Sequence, residues 1–299
     1  MAIPESQLAT WSSQGAITGS ASTYATIKRA LEADSAAYRA RNFTIFLQGS
    51  YGNDTNIYAE SDVDVVIRYD DAFFHDLTSL NATQQAAFNT YFNNGSYLYT
   101  SFKNDVEAAL RTAFGDAVDP GNKAIKVKAN GSRRSADVVV AFEYRQYHKF
   151  NGSADQNYNL GMCFFAKDGT RIANYPKQHS ENLTKKHQAT NGNFKPVARI
   201  FKNMRSRLVD DEVLGKGTAP SYYIEGLLYN VPNENFQGTT WAQIVLNVLR
   251  WLHSTTDRSN FVCANERYYL LRDGYATCWP AADGAKFINA VVALWDNWQ

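Results

Sequence analysis

Gln48-Gly49-Ser50-Tyr51-Gly52-Asn53-Asp54-Thr55-Asn56-Ile57, then Ser61-Asp62-Val63-Asp64-Val65-Val66-Ile67, joins a glycine turn to an apolar run that carries two acids. Just upstream, Phe43-Thr44-Ile45-Phe46-Leu47 predicts a short buried strand that stops at Gly49. Asp62 to Tyr69 reads as a second strand. Side chains alternate along a strand, so Asp62, Asp64 and Val66 are expected on one face and Val63, Val65 and Ile67 on the other. Both carboxylates then aim at one point. The turn before them offers backbone N–H groups and the Ser50 hydroxyl to an anion, because Gly49 permits close approach.

A third acid follows in Ser135-Ala136-Asp137-Val138-Val139-Val140. Asp137 stands alone in an otherwise apolar strand, where an unpaired carboxylate would be costly and a bound cation would remove the cost. Three carboxylates and a phosphate-holding turn are what nucleotidyl transfer requires. The triphosphate must be gripped, and charge developing in an in-line displacement must be neutralised by metal ions. Magnesium prefers such oxygen ligands, and a bridged pair of ions needs more than one carboxylate. An Asp-x-Asp alone is common in solvated turns, so the combination carries the reading. No Gly-x-x-x-x-Gly-Lys-Ser/Thr loop occurs, which argues against a P-loop enzyme.

The rest of the chain falls into two textures. Residues from about 21 to 40 carry Tyr24, Ile27, Leu31 and Tyr38 at helical spacing and predict one long amphipathic helix. Helical sections are expected at 76–92 and 101–114, with strands at 123–128, 135–144, 162–167 and 170–174. After Tyr175-Pro176 helices dominate, at about 177–190, 194–210, 221–229, 239–255 and 284–298. In the second of these, Val197, Phe201, Met204 and Leu208 form an apolar stripe, while Lys195, Arg199 and Lys202 share another flank. The expectation is an α+β architecture: a mixed-sheet lobe over residues 1–176, its first helix packing across both lobes, and a helical lobe over 177–299. His179, Lys185, Lys186 and His187 form a basic cluster that reads as a solvated face and is left outside the catalytic set.

The composition sets bounds. At 299 residues, 44% hydrophobic and 14% aromatic, the chain can bury a sizeable core. A formal charge of +1 argues against a broad nucleic-acid or membrane-binding surface. Cys163, Cys263 and Cys278 lack the pair spacing of a zinc site and read as core residues in a reducing, cytoplasmic setting. The opening stretch shows no basic region before an apolar run, so no signal peptide is expected, and no run approaches the ~20 apolar residues of a membrane span.

The Gln48–Ile57 and Ser61–Asp64 motifs resemble those of polymerase-β-type nucleotidyltransferases, specifically the cGAS/DncV-like branch. Three later segments sharpen the resemblance: Tyr175-Pro176-Lys177-Gln178-His179-Ser180-Glu181-Asn182, Phe194 through Arg205, and Pro220-Ser221-Tyr222-Tyr223-Ile224-Glu225. It runs from about residue 43 to 232, and the motif wording is similar to the clades related to CdnD and CdnG. The resemblance implies a bilobal polymerase-β-like fold with the active site in its cleft. It makes Asp62, Asp64 and Asp137 the ligands of two Mg2+ ions, with Mn2+ able to substitute, and Asp137 an aid to activating the attacking hydroxyl. Ser50, in the Gln48-Gly49-Ser50 nucleotide-binding turn, would hold the terminal phosphates with Lys202 and Ser221. Tyr222 would stack on the donor base.

The activity so implied is synthesis of a cyclic di- or trinucleotide from nucleoside triphosphates, ATP and/or GTP foremost, as a second messenger in bacterial anti-phage signalling. Accessory regulators and a downstream receptor-effector are the expected partners of a monomeric enzyme. The zinc insertion by which animal cGAS recognises DNA has no counterpart here, so no nucleic-acid activator is expected. A nucleotidyltransferase acting on an RNA, protein or antibiotic, or making a linear oligonucleotide, would use the same metal site. A non-catalytic nucleotide sensor and a structural protein are the readings of other classes.

Overall fold

The computed structural model describes residues 2–15, 17–58, 62–93 and 95–298. In chain order the helices are α1 (Glu5–Ser12), α2 (Ile17–Leu31), α3 (Gly49–Gly52), α4 (Ala82–Tyr91) and α5 (Tyr99–Phe114). They continue as α6 (Pro176–Ala189), α7 (Phe194–Asp210), α8 (Ser221–Tyr229), α9 (Trp241–Ser254) and α10 (Ala281–Asp296). The strands are β1 (Phe43–Leu47), β2 (Val63–Asp76), β3 (Val118–Pro120), β4 (Ile125–Val127), β5 (Ala136–Phe150), β6 (Gln156–Phe165) and β7 (Arg171–Asn174). The chain forms two compact units: residues 18–48 with 62–176, and residues 1–17 with 49–61 and 177–299.

The sheet unit is built on β2 and β5, which pair in parallel. β1 lies antiparallel on the far side of β2, and the order runs β1-β2-β5-β4-β3. β4 pairs with the start of β5, and β6 pairs with its later part before passing to β7. The expected alternation holds. Val63, Val65 and Ile67 join Val138, Val140 and Phe142 in one core, under Phe102, Val106 and Leu110 of α5. Val66 packs with Val139 and Ala141 on the opposite face. Burying such side chains contributes roughly 1.5–3 kcal/mol each, and that face-by-face demand fixes the register.

One helix is shorter than its apolar spacing suggested. α2 ends at Leu31, and Tyr38 sits beyond it in a run of turns. Asp34 and Ser35 compete for backbone groups and favour a turn. The buried Tyr38 hydroxyl then donates to Leu31 O at 2.8 Å, satisfying a carbonyl at the helix end.

The helical unit is organised around α7, whose Phe194, Val197, Ile200, Phe201, Met204 and Leu208 are buried with side chains of α8, α9 and α10. Two pieces expected with the sheet belong here instead, residues 1–17 and 49–61. The reasons are specific. Ile3 and Leu8 enter this core, and the Glu5 carboxylate accepts from Trp241 N and Ala242 N, at 2.7 and 2.8 Å, at the start of α9. The 49–58 segment is held by side chains of α7 and α8, described below.

All three cysteines are buried free thiols. Among the described residues no helix is long and apolar enough to cross a membrane.

Candidate active site

The parallel pairing of β2 with β5 sets Asp64 directly opposite Asp137, and the antiparallel pairing of β4 with β5 sets Lys126 opposite Asp137 on the other side. Three adjacent strands thus carry acid, acid and lysine in one row. Asp62 precedes β2, and its carboxylate accepts from Lys126 Nζ at 3.0 Å and from the Ser135 hydroxyl. The Asp137 carboxyl is pushed up from the ordinary range. Burial is the main cause, the negative charge of Asp62 adds to it, and Lys126 opposes both. The Lys126 ammonium is raised in turn by its bond and attraction to Asp62. Gln48 sits at the end of β1, where its N–H donates to Asp64 O at 3.1 Å.

These donors suit a hard divalent cation. They are carboxylates on neighbouring strands, and an acid whose charge is disfavoured by burial and by a second acid gains most from an added cation. No three His, Cys, Asp or Glu side chains among the described residues already form a metal-sized cage. The Asp62 carboxylate is instead turned to Lys126.

The helical unit holds the other expected residues. Gly49 has φ 68°, the left-handed conformation that glycine adopts without strain, and it opens the four-residue α3 that carries Ser50. The basic flank of α7 grips this segment residue by residue. Lys195 Nζ donates to Asp54 Oδ2 at 3.0 Å, and Arg199 donates to Asp54 O at 2.6 Å and Ser12 O at 2.5 Å. Lys202 Nζ donates to Ser50 Oγ at 2.7 Å, Thr55 Oγ1 at 3.0 Å, Thr55 O at 3.1 Å and Glu225 Oε1 at 2.8 Å. Ser50 and Lys202 are therefore in direct contact. The lysine is fully buried.

Glu225 was not foreseen. On α8, it accepts from Lys202, from the Thr55 hydroxyl, from Asn53 Nδ2 at 3.3 Å and from His179 Nε2 at 2.7 Å. Burial alone would raise its carboxyl; the Lys202 charge and the His179 hydrogen bond outweigh that and hold it well below the usual range. His179, expected on a solvated face, is buried in α6, and its ring lies nearly parallel to that of Tyr222 with centroids 4.7 Å apart. Lys186 is half-buried, donates to Val231 O at 2.5 Å and is lowered to about 8 by that burial. Ser221 is the first residue of α8. Tyr222, next to it, accepts from Asn265 Nδ2 at 3.0 Å, and burial pushes its phenol well up.

Sequence similarity carries these features to a family. The signature of the cGAS/DncV-like nucleotidyltransferase C-terminal helical domain matches residues 181–296. A cyclic nucleotide synthase, CdnE01, of Staphylococcus haemolyticus is 37% identical over 100% of both chains. The chain belongs to the cGAS/DncV-like nucleotidyltransferases. Among solved structures of this family, the CdnE c-UMP-AMP synthase of Rhodothermus marinus with Apcpp and Upnpp superposes with a TM-score of 0.87 at 37% identity, covering 99% of this chain and 97% of that one. The CdnE cyclic dinucleotide synthase of Elizabethkingia meningoseptica with GTP and Apcpp gives 0.78 at 29% identity, covering 96% and 97%. This cGAS/DncV-like chain thus has the expected α+β, polymerase-β-like fold. It is a nucleotidyltransferase, and the reaction class of its full-length relatives, cyclic oligonucleotide synthesis, is its own. The clade expectation shifts: these relatives carry CdnE names rather than CdnD or CdnG.

Proposed function

We propose that this enzyme condenses two or three nucleoside triphosphates into a cyclic oligonucleotide at a site where Asp62, Asp64 and Asp137 hold two Mg2+ ions, with Mn2+ as a substitute. The observation that carries the metal assignment is the pairing of Asp64 with Asp137 across β2 and β5, with Asp62 two residues before Asp64. Bound magnesium supplies Lewis-acid neutralisation of the triphosphate and of the pentacovalent transition state. Asp137, beside the attacking ribose hydroxyl in this reading, also helps to take its proton. The new bond joins that oxygen to the α-phosphorus, the bond to the β-phosphate breaks, and pyrophosphate leaves. A second transfer closes the ring.

In this reading Gln48, Gly49 and Ser50 form the phosphate turn, Lys202 and Ser221 support the terminal phosphates, and Tyr222 is the platform for the donor base. Gln48 and the metal ligands belong to the unit of residues 18–48 and 62–176, while Gly49, Ser50, Lys202, Ser221 and Tyr222 belong to the other. ATP is the first donor to test, with GTP and UTP as co-substrates, since a relative 38% identical over 300 residues is a cyclic UMP-AMP synthase. A monomer that needs no nucleic-acid activator, works in the cytoplasm with accessory regulators, and feeds a cyclic-nucleotide-sensing effector in anti-phage defence completes the proposal.

The test is incubation with all four nucleoside triphosphates and Mg2+ or Mn2+, phosphatase treatment, and mass spectrometry of what survives. A phosphatase-resistant cyclic product supports the reading. Products found only on an added RNA, protein or antibiotic would replace it.

A further inference from the structure

Within the sheet unit, a cavity of about 420 Å3 opens beside β2 and β5, a volume that suits a small molecule. Arg145 lines it. At about 3.3 Å per residue of strand, this arginine lies roughly 25 Å along β5 from Asp137. The cavity sits where the strand pairing slips. Tyr69 pairs with Phe142 and Phe73 pairs with Glu143, so Asp70, Asp71 and Ala72 have no opposite residues on β5. An insertion of this kind re-aims side chains, and here it brings two acids to the cavity wall. Phe73 and Phe92 add aromatic wall, with ring centroids 5.1 Å apart and planes at 90°, and both rings meet that of the buried Phe88.

The polar groups of the wall are held in place yet keep hydrogen-bonding capacity. The Arg145 guanidinium lies 4.0 Å over the Phe73 ring and 4.9 Å over the Tyr158 ring. It donates to Glu143 Oε1 at 2.6 Å and to the Tyr147 hydroxyl at 3.4 Å. A guanidinium has five N–H donors in one plane, so three of these have no acceptor among the described residues. Asp71 accepts from Asn42 N at 3.0 Å and Asn42 Nδ2 at 2.5 Å, which leaves about half of its acceptor positions open. The charges limit the occupant. Glu143 balances Arg145, and Arg68, 2.6 Å from Asp70, balances that acid, so the surplus is the negative charge of Asp71. A phosphate or carboxylate is repelled here. What fits is a flat neutral ring with two acceptors on one edge and N–H donors on another. Guanine has that pattern, with O6 and N7 for an arginine fork and N1–H and N2–H2 for a carboxylate, whereas adenine places a donor beside N7.

We propose that this cavity binds the guanine base of a nucleoside, with Arg145 on its O6 and N7 edge, Asp71 on its N–H edge and Phe92 against its face. One face of Phe73 is already covered by Arg145, which leaves Phe92 as the stacking surface. No acid of the metal row takes part, so the site stands whether or not that row carries out nucleotidyl transfer.

The experiment is calorimetric titration of the full chain with guanosine in EDTA, where no metal draws a nucleotide to the acidic row. Parallel titrations use adenosine, cytidine, GMP and agmatine, an aliphatic guanidinium. Guanosine should bind one to one and at least about tenfold more tightly than adenosine or cytidine, the discrimination of one bidentate arginine contact. GMP should bind more weakly than guanosine, because its phosphate meets the charge of Asp71. Arg145→Lys keeps a cation opposite the buried Glu143 but loses the fork, and it should weaken guanosine about tenfold at an unchanged melting temperature. Phe92→Leu keeps apolar volume but loses the ring, and it should weaken guanosine about fivefold or more. No binding of guanosine, equal affinity for the three nucleosides, or full affinity in both variants would overturn the proposal. So would GMP binding more tightly than guanosine, which marks a phosphate site, or agmatine doing so, which marks a cation site.

Discussion

Lys126 Nζ lies 3.0 Å from Asp62 Oδ2, while the backbone of Lys126 pairs with that of Asp137 across β4 and β5. One lysine thus neutralises an acidic row that is proposed to take metal ions, and the two cations compete. Both partners are about two-fifths exposed, so the ion pair is worth at most ~1 kcal/mol. Lys126→Met should therefore tighten Mn2+ binding by about two- to fivefold, as read by electron paramagnetic resonance of free Mn2+. Unchanged or weaker binding would show that Lys126 does not oppose the metal.

Asp64→Asn and Asp137→Asn keep shape and remove charge. Each should lower pyrophosphate release by at least about a hundredfold, the scale at which a transition-state electrostatic contact acts. Neither should lower the melting temperature measured without metal, because each removes repulsion within the row. Near-normal Mg2+-dependent turnover in either variant would refute the ligand assignment.

Glu225 makes a pH prediction with a definite sign. Its carboxyl is held well below the 4.5 of a free glutamate, so the folded chain keeps it charged where the unfolded chain would protonate it. The stability it contributes is fully present above about pH 4.5 and is lost as the pH falls below that value toward the depressed folded pKa. In this window one such group steepens the acid loss by up to ~1.4 kcal/mol per pH unit. Lys202→Met with Glu225→Gln should show a visibly shallower fall in urea-denaturation stability between pH 4.5 and pH 3. Parallel curves for the variant and the parent would contradict the assignment.

Gly15 leaves no room for a side chain. Its N–H donates to Asn56 O at 3.0 Å, and an added Cβ would lie 2.6 Å from Ile57 C and 2.7 Å from Ile57 O. Both are backbone atoms, so relief requires moving the chain beside Thr55. Gly15→Ala should cost about 1–3 kcal/mol in chemical denaturation and also weaken triphosphate binding. A variant with unchanged affinity would separate this packing from the phosphate turn.

The acidic row was legible because strand alternation is strict: Asp62, Asp64 and Asp137 stand out against valines whose faces a period of two assigns. Ser50 was legible from its glycine turn. Lys126 was not, since β4 is only three residues long and nothing in Ala124-Ile125-Lys126-Val127 reveals which strand it joins. Tyr38 fits a helical stripe by spacing, but α2 stops at Leu31 and the Tyr38 hydroxyl folds back onto that residue's carbonyl. Burial of Lys202 and His179 escaped notice for a different reason. Charged residues are assigned to water unless a partner is known, and the partner, Glu225, lies 23 positions from Lys202 and 46 from His179. The final glutamate of Pro220-Ser221-Tyr222-Tyr223-Ile224-Glu225, sitting among apolar neighbours, was the available clue.

The capture of residues 49–58 by α7 bears on how the protein can be cut. Residues 181–296 are recognisable in isolation as a domain, yet a fragment starting at Lys177 would lack Ser50, Asn53 and Thr55. It would expose the Lys202–Glu225 pair without three of its ligands, and the α9 N-terminus without Glu5. The recognisable domain is thus not an excisable one: expressed alone, it would need a grafted copy of the missing strip to close its own interior.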